Sequence, residues 1–272
     1  MAGNMQYERN GSNAAVVNQG TISATGGYVA LLGASVSNEG KIETQGGTAY
    51  LGAGETVKIP VSGSGRIKLE LSPSSINAAV GNAKDGTIVT EGGQVYMQAA
   101  ALNNAVASII QSGNIDTTGE QGGAVHLLAD GGQIKVDGSI TANSTGNDNQ
   151  NQPRKGGSIV IGRDEDTGVL ARWTDVSGAQ LQSGKGFVET SGDVLATAGV
   201  RVKAGEWLLD PYNITITTSA DSNVSNASNT FTSSNSPSNI NVSTITGALN
   251  SGTSVTVQTG AGGGENRLQT RL

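Results

Sequence analysis

The sequence is poor in the residue types on which most enzymes and nucleic-acid-binding proteins depend. Its 272 residues include no cysteine, one histidine and only 3% aromatic residues. The lack of cysteine excludes disulfides and thiolate metal sites, and a net charge of −6 argues against a nucleic-acid partner, which needs a basic face. No apolar run reaches the roughly 18 residues that indicate a transmembrane helix. What the chain has in abundance is glycine, with 41 residues.

A repeat of 20 residues is the main positive feature. Asn18 recurs as Asn38, and the pair Gly26-Gly27 recurs as Gly46-Gly47, each displaced by 20 residues (38 − 18 and 46 − 26). Each unit reads as a strand, a Gly-Gly turn and a second strand, with the alternation of apolar and polar residues typical of one buried face. A fixed period of this size indicates a solenoid whose repeats bury their apolar side chains against neighbours. The sequence therefore predicts an all-β parallel β-helix with turns of about 20 residues, rather than a sandwich or barrel.

Stacked turns place like residues on like residues. We expect Asn18 and Asn38 to begin a ladder of side-chain amides inside the solenoid. We also expect Gly47 to occupy a tight corner with positive φ, where a β-branched residue would be strongly disfavoured.

Two insertions interrupt the repeat, and both are predicted to be short helices. In 72–80, Ser72 is a candidate N-cap and Pro73 takes the first helical position. In 99–110, apolar residues recur on one side of a helix.

The C-terminal part of the chain changes in composition. From residue 217 to 243, 19 of 27 residues are Ser, Thr or Asn, a composition that buries little apolar surface. Together with the repeat, this divides the chain into four parts: a disordered start (1–12), the β-helix (13–216), a polar linker (217–243), and the beginning of a truncated further repeat with an irregular end (244–272).

Two short sequence motifs, which we call the signature boxes, are more specific than the glycine repeat. The first reads GFVETSG and the second WLLDP, and their residues are Gly186, Phe187, Val188, Glu189, Thr190, Ser191 and Gly192, then Trp207, Leu208, Leu209, Asp210 and Pro211. In this order they resemble the filamentous-haemagglutinin family of two-partner-secretion exoproteins, from about residue 13 to 260. The resemblance is strongest to the branch of the high-molecular-weight adhesins and haem–haemopexin-scavenging exoproteins. We interpret the box residues as structural: Trp207 covers the end of a narrow core, and Pro211 ends a strand because it has no N–H to donate.

The resemblance implies a right-handed parallel β-helix that is secreted or held on the bacterial surface. It implies two partners, a host-cell surface glycan or protein and, for the full-length protein, an outer-membrane two-partner-secretion transporter. Family members begin with a secretion domain that carries NPNG-type motifs, and no such motif or recognisable signal peptide occurs here. We therefore expect this chain to be an internal fragment that lacks the secretion domain, or the product of a broken gene.

The favoured function is that of an adhesin segment that presents an extended β-helical surface for host-cell or matrix binding. A haem/haemopexin-capture module and a β-helical polysaccharide-active enzyme are the alternatives. His126 stands in a strand without an accompanying nucleophile or acid pattern, so the sequence predicts no enzyme and offers no catalytic, cofactor-binding or metal-ligating residues.

Asn-x-Ser/Thr sequons offer candidate glycosylation sites. Adhesins of the resembled branch carry glycans in such sequons, although an Asn- and Ser-rich chain also produces them by chance. The candidates are Asn143, Asn213, Asn223, Asn226 and Asn241.

Overall fold

The chain folds as a parallel β-helix, as the repeat predicts. The computed structural model describes residues 4–60, 70–102, 105–149, 151–164, 167–212, 214–220, 225–227, 230–232, 238–257 and 270–271. No helix within these ranges is long and apolar enough to cross a membrane.

The described elements are short strands and one helix. In chain order they are β1 (Asn4–Glu8), β2 (Ala15–Asn18), β3 (Thr21–Thr25), β4 (Tyr28–Gly33), β5 (Ser35–Asn38), β6 (Lys41–Gln45), β7 (Thr48–Ala53), β8 (Thr56–Pro60), β9 (Glu70–Ser72), β10 (Ala78–Asn82), β11 (Thr87–Val89), β12 (Gln94–Ala99), β13 (Ala107–Gln111), β14 (Asn114–Asp116), β15 (Ala124–Ala129), β16 (Gln133–Val136), β17 (Ser139–Thr141), β18 (Ser158–Ile161), β19 (Trp173–Asp175), β20 (Gln180–Gln182), β21 (Phe187–Gly192), β22 (Val194–Ala196), β23 (Arg201–Lys203), β24 (Glu206–Pro211), β25 (Ile214–Thr217), β26 (Ser225–Ala227), β27 (Thr230–Thr232), β28 (Ser238–Asn241), α1 (Val242–Asn250), β29 (Ser254–Val257) and β30 (Thr270–Arg271).

Three parallel sheets form the walls of the coil. Sheet 1 contains β2, β5, β10, β13, β16, β19 and β22, and sheet 2 contains β3, β6, β11, β14, β17, β20 and β23. Sheet 3 contains β4, β7, β12, β15, β18, β21, β24 and β29, with β30 added antiparallel at its end. Each turn contributes one strand to each sheet, so the 7 strands of sheet 2 span about 29 Å at the usual strand spacing.

The core is a set of stacked apolar columns that run along the coil. In sheet 2 the inward position holds an isoleucine in five successive turns, because alternate side chains of a strand point to one face and β-branched residues pack well on a pleated surface. Burying each such side chain contributes about 1.5–3 kcal/mol. The column consists of Ile22, Ile42, Ile88, Ile115 and Ile140, followed by Leu181 and Val202.

The two predicted helical insertions are wrong. Ser72 ends β9, and Ala78–Asn82 form β10, where Ala78, Val80 and Asn82 point inward and are buried. In the second insertion, 107–111 form β13. In-register pairing of β10 with β5 and β13 decides the structure and outweighs the local helical spacing.

A small antiparallel sheet of β1, β8 and β9 lies outside the coil. Asn4–Glu8, within the stretch expected to be disordered, form β1 and pair with β8, so that expectation is wrong for these residues. The sheet forms because β8 and β9 leave the coil as an excursion that gives β1 an edge to pair with. Val57 and Leu71 of this sheet pack on the outer side of sheet 3.

Helix α1 follows β28 and contacts the last strand of sheet 2. Its N-cap Asn241 accepts a hydrogen bond from the Ser243 N–H at 2.8 Å. Ile245 and Ala248 are buried in the main core. The stretch from 217 to 257, where the sequence suggested a linker and a new repeat, thus includes a helix that packs against the end of the coil.

Candidate functional site

The two signature boxes lie side by side on neighbouring turns. The first box forms β21 and the second lies in β24, and the two strands pair in parallel with Val188 opposite Trp207 and Ser191 opposite Asp210. Alternation then sends one set of side chains into the core and the other to the outer side of sheet 3. The boxes are therefore one structural unit.

The inward side of this unit centres on Trp207. The indole is fully buried between Val188 and Val255 in the register of sheet 3, and its Nε1–H donates to Thr190 Oγ1 at 3.1 Å. A buried indole needs such a partner for its one polar group. Strand β24 ends at Pro211.

The outward side carries two buried carboxylates and one guanidinium. Glu189 is 4% exposed and Asp210 3%. Arg163, which follows β18, places Nη1 3.4 Å from Glu189 Oε1 and 3.6 Å from Asp210 Oδ2. Ser191 Oγ donates to Glu189 Oε1 at 2.8 Å. Sequence reasoning missed Arg163, since it belongs to neither box and to no repeat position.

The surroundings of Glu189 shift its pKa in opposite directions. Burial raises the pKa of Glu189 above its usual value, and the neighbouring charge of Asp210 raises it further. The Ser191 hydroxyl and the Arg163 guanidinium oppose this rise. Arg163 lies close to both carboxylates, so the cluster joins the segment after β18 to two later turns.

An aromatic stack lies in the same outward column of sheet 3, nearer the N terminus. Tyr50 and Tyr96 stack with centroids 5.3 Å apart, and Tyr96 stacks on His126 at 4.7 Å. All three are buried, and burial raises the pKa of Tyr50. The single histidine of the chain is therefore part of a packed aromatic stack on the outer side of sheet 3.

The amide ladder is confirmed and is longer than predicted. Asn18 Nδ2 donates to Asn38 Oδ1 at 2.7 Å, and Asn38 Nδ2 donates to Asn82 Oδ1 at 2.8 Å. Asn82 Nδ2 then donates to Gln111 Oε1 at 2.9 Å. These side chains are buried, so each depends on its neighbour for a hydrogen bond.

A glycine-lined groove of about 670 Å³ follows the corner between sheets 2 and 3. The prediction that Gly47 has positive φ is wrong, because positive φ occurs at Gly46 (65°). Gly47 is required for a different reason: a Cβ there would lie 1.9 Å from the carbonyl oxygen of Gly27 in the preceding turn. The same close approach recurs at Gly93, where a Cβ would lie 1.8 Å from Gly47 O.

The outer side of sheet 2 is a broad polar surface, which we call the polar face. Its side chains are exposed or half-exposed, and most are hydroxyls and amides that both donate and accept hydrogen bonds. They form two columns in register: Thr21, Lys41, Thr87, Asn114, Ser139, Gln180 and Arg201 in one, and Ser23, Glu43, Val89, Asp116, Thr141, Gln182 and Lys203 in the other.

The candidate glycosylation sites lie in different environments. Asn241 Nδ2 already donates to Ser219 O at 2.8 Å and Thr218 O at 3.2 Å, whereas Asn143 is half-buried in an irregular segment after β17. Asn226 lies in β26, and Asn213 and Asn223 lie outside the described residues. Glycosylation stays a prediction.

Comparison with solved structures gives a likeness in fold. No protein-family model matches the chain, and no curated protein matches it. The chain is similar to the crystal structure of the HMW1 secretion domain from Haemophilus influenzae, with a TM-score of 0.45 and 22% sequence identity. The match covers 76% of this chain and 70% of that chain.

This match contradicts the expectation that the chain is an internal fragment lacking a secretion domain, because the matched structure is itself a secretion domain. The physical reason for the error is that a β-helix is specified by its strand period and glycine corners, which many sequences satisfy. The lack of an NPNG-type motif therefore does not exclude a likeness in fold to a secretion domain.

Proposed function

We propose that the chain is part of a secreted bacterial adhesin of the filamentous-haemagglutinin type and that it binds host-cell glycans or proteins through the polar face. The observation that carries this proposal is the face itself: two columns of accessible side chains, mostly hydroxyls and amides, held in register over 7 strands. A rigid array needs little ordering on binding, which lowers the entropic cost of association.

The chemistry of the face suits glycans in particular. Sugar hydroxyls donate and accept hydrogen bonds, as do the side chains of Thr, Ser, Asn and Gln. In this proposal the buried Arg163 cluster, the aromatic stack and the amide ladder stabilise the coil, and the chain is not an enzyme. The full-length protein is exported through an outer-membrane transporter and held at the surface or released.

Site-directed shielding tests the binding face. Since the chain has no cysteine, Asn114→Cys and Ile110→Cys each create one attachment point for a bulky polyethylene glycol maleimide. Asn114 lies on the polar face, and Ile110 is exposed on the outer side of sheet 1 in the same turn. We expect the label at position 114 to reduce binding to host epithelial cells by about tenfold or more, and the label at position 110 to leave it unchanged. Equal effects, or no binding by the unlabelled protein, would contradict the proposal.

Export is tested in the native host. Deleting the gene of the partner transporter should abolish the appearance of the full-length protein at the surface and in the medium, while its intracellular amount persists. Undiminished export without the transporter would contradict this part of the proposal.

A further inference from the structure

The end of the polar face differs from the rest of it. A pocket of about 480 Å³ lies where β20 and β23 meet helix α1, a volume within the range of about 300–1,000 Å³ that is usual for small-molecule sites. Arg201 and Lys203 line it from β23, and Gln180 and Gln182 line it from β20. We call it the α1 pocket.

The register of the strands fixes the arrangement of these four side chains. Gln180 pairs with Arg201, and Gln182 pairs with Lys203. Residues two apart on a strand point to the same side at a separation of about 6.6 Å, and neighbouring strands are about 4.8 Å apart. Two cations and two amides therefore form the corners of a small rectangle on one accessible surface.

The wall of the pocket is held in place by hydrogen bonds from the chain after α1. Ser251 Oγ donates to the Val202 carbonyl at 3.1 Å, and Thr253 Oγ1 accepts from the Ala204 N–H at 2.9 Å. A Cβ added at Gly247, which faces the pocket, would meet no atom within 4 Å. The pocket is thus preformed and has room for a ligand.

The charge of the pocket is not neutralised by the described residues. Lys41, in the same column as Arg201, forms an ion pair with Glu43, whereas Arg201 and Lys203 form none with the side chains that the structure describes. Helix α1 contains no acidic residue. The nearest acid in the two columns is Asp116, three strands from Lys203, or about 14 Å, beyond the Debye length of about 8 Å at physiological salt.

We propose that the α1 pocket binds a carboxylated sugar, a hexuronate unit of an acidic saccharide. The planar guanidinium of Arg201 matches a carboxylate with two parallel hydrogen bonds, Lys203 adds a second cation, and the Gln180 and Gln182 amides match ring hydroxyls. This inference deepens the proposed function and rests on it, since it names the ligand chemistry at one end of the polar face.

Binding of defined saccharides to the purified chain tests the proposal. Titration calorimetry should detect binding of a tetragalacturonate, no binding of the neutral galactose tetramer, and weaker binding of a sulfated galactose tetramer. Arg201→Gln should lower the affinity for tetragalacturonate about tenfold to a hundredfold, because a hydrogen bond to a charged group is lost. Arg201→Lys should recover only part of this loss, since the second parallel hydrogen bond is missing.

Lys135→Gln is the matched control, because it removes one positive charge from the outer side of sheet 1, away from the polar face. Its affinity should equal that of the unchanged chain. An equal loss in Lys135→Gln, tighter binding of the sulfated sugar, or no loss in Arg201→Gln would overturn the proposal. Circular dichroism of each variant verifies that the coil is intact.

The two proposals fail separately. If tetragalacturonate does not bind while the label at position 114 still blocks cell binding, only the ligand assignment falls. If tetragalacturonate binds with the expected variant pattern while host cells are not bound, the pocket stands and the adhesin proposal falls.

Discussion

The first four turns of the coil and the last three are stabilised in different ways. In the first four (β2–β15, the repeat half), like residues stack on like, as in the Asn18–Asn38–Asn82 ladder and the Tyr50–Tyr96 stack. In the last three (β16–β24, the signature half), the same columns hold unlike residues. The amide column continues from Gln111 to an aliphatic Val136, and the aromatic column leads to Glu189.

This difference shows that one backbone geometry accepts two kinds of stabilisation. The repeat half relies on contacts between equivalent positions of successive turns. The signature half relies on individual contacts from outside the repeat, including Arg163 on Glu189 and Asp210 and helix α1 on the core. Substitutions in the two halves should therefore destabilise the coil for different reasons.

The largest effect is expected at the glycine corner of the repeat half. In Gly47→Ala the new Cβ would meet Gly27 O at 1.9 Å, so adjacent turns must separate. We expect a loss of at least about 4 kcal/mol in the free energy of unfolding, or failure to fold. Gly46→Ala is the control: its φ of 65° is strained for alanine, but the space is open, so we expect a cost of about 1 kcal/mol. Equal denaturation midpoints would disprove the close-approach argument.

The next effect belongs to the signature half. Arg163→Met removes the guanidinium that lies within 4 Å of the buried carboxylates of Glu189 and Asp210, which we expect to cost about 3–5 kcal/mol in urea denaturation. The matched control is Arg154→Met, which breaks a more exposed pair with Glu120 at 3.9 Å and should cost less than about 1 kcal/mol. If Arg163→Met were as mild as the control, the cluster would not stabilise the coil.

Breaking the amide ladder should have a somewhat smaller effect. Asn38→Ala removes the acceptor of Asn18 and the donor to Asn82, leaving two buried polar groups short of a partner at a cost of about 2–4 kcal/mol. Asn114→Ala, on the exposed polar face, should change the free energy of unfolding by less than about 0.5 kcal/mol. A neutral Asn38→Ala would mean that the ladder is incidental to stability.

The smallest expected effect is a change in how the free energy of unfolding depends on pH. The pKa of Glu189 is raised in the folded state, so the folded chain binds more protons than the unfolded chain between the usual value of 4.5 and the raised pKa. Stability contributed by Glu189 is therefore present below pH 4.5 and is lost as the pH rises through the raised pKa. Glu189→Gln should flatten this loss.

A second carboxylate, that of Glu43, should change the pH dependence of stability in the opposite direction and serves as the control. The Lys41 ammonium and the Ser23 hydroxyl lower the pKa of Glu43, so its contribution is present above pH 4.5 and is lost as the pH falls through the lowered value. Unfolding curves between pH 3 and 8 should show opposite changes of slope for Glu189→Gln and Glu43→Gln. The same sign in both would contradict the assignment of the Glu189 cluster.

The side-chain contacts that could be predicted from the sequence lie in the repeat half, and the contacts of Arg163, which could not, lie in the signature half. The period of the repeat predicted the β-helix, and the equivalence of Asn18 and Asn38 predicted the amide ladder, because contacts between equivalent positions are visible as self-similarity. The role of Arg163 left no such signal, since its partners lie 26 and 47 residues away (189 − 163 and 210 − 163) in unrelated motifs. The two helices were wrongly predicted because the local apolar spacing does not show the pairing with neighbouring turns, which places β10 and β13 in sheet 1.

The most direct test of this account is a distance measured across both halves. In one continuous β-helix, Thr21 of β3 and Gln180 of β20 lie in one column of sheet 2, five strand spacings apart. This separation is about 24 Å. Nitroxide labels on Thr21→Cys and Gln180→Cys, in a chain without other cysteines, should give a single narrow distance distribution near this value by double electron–electron resonance. A broad distribution, or a mean beyond about 40 Å by the same spacing argument, would show that the two halves do not form one coil.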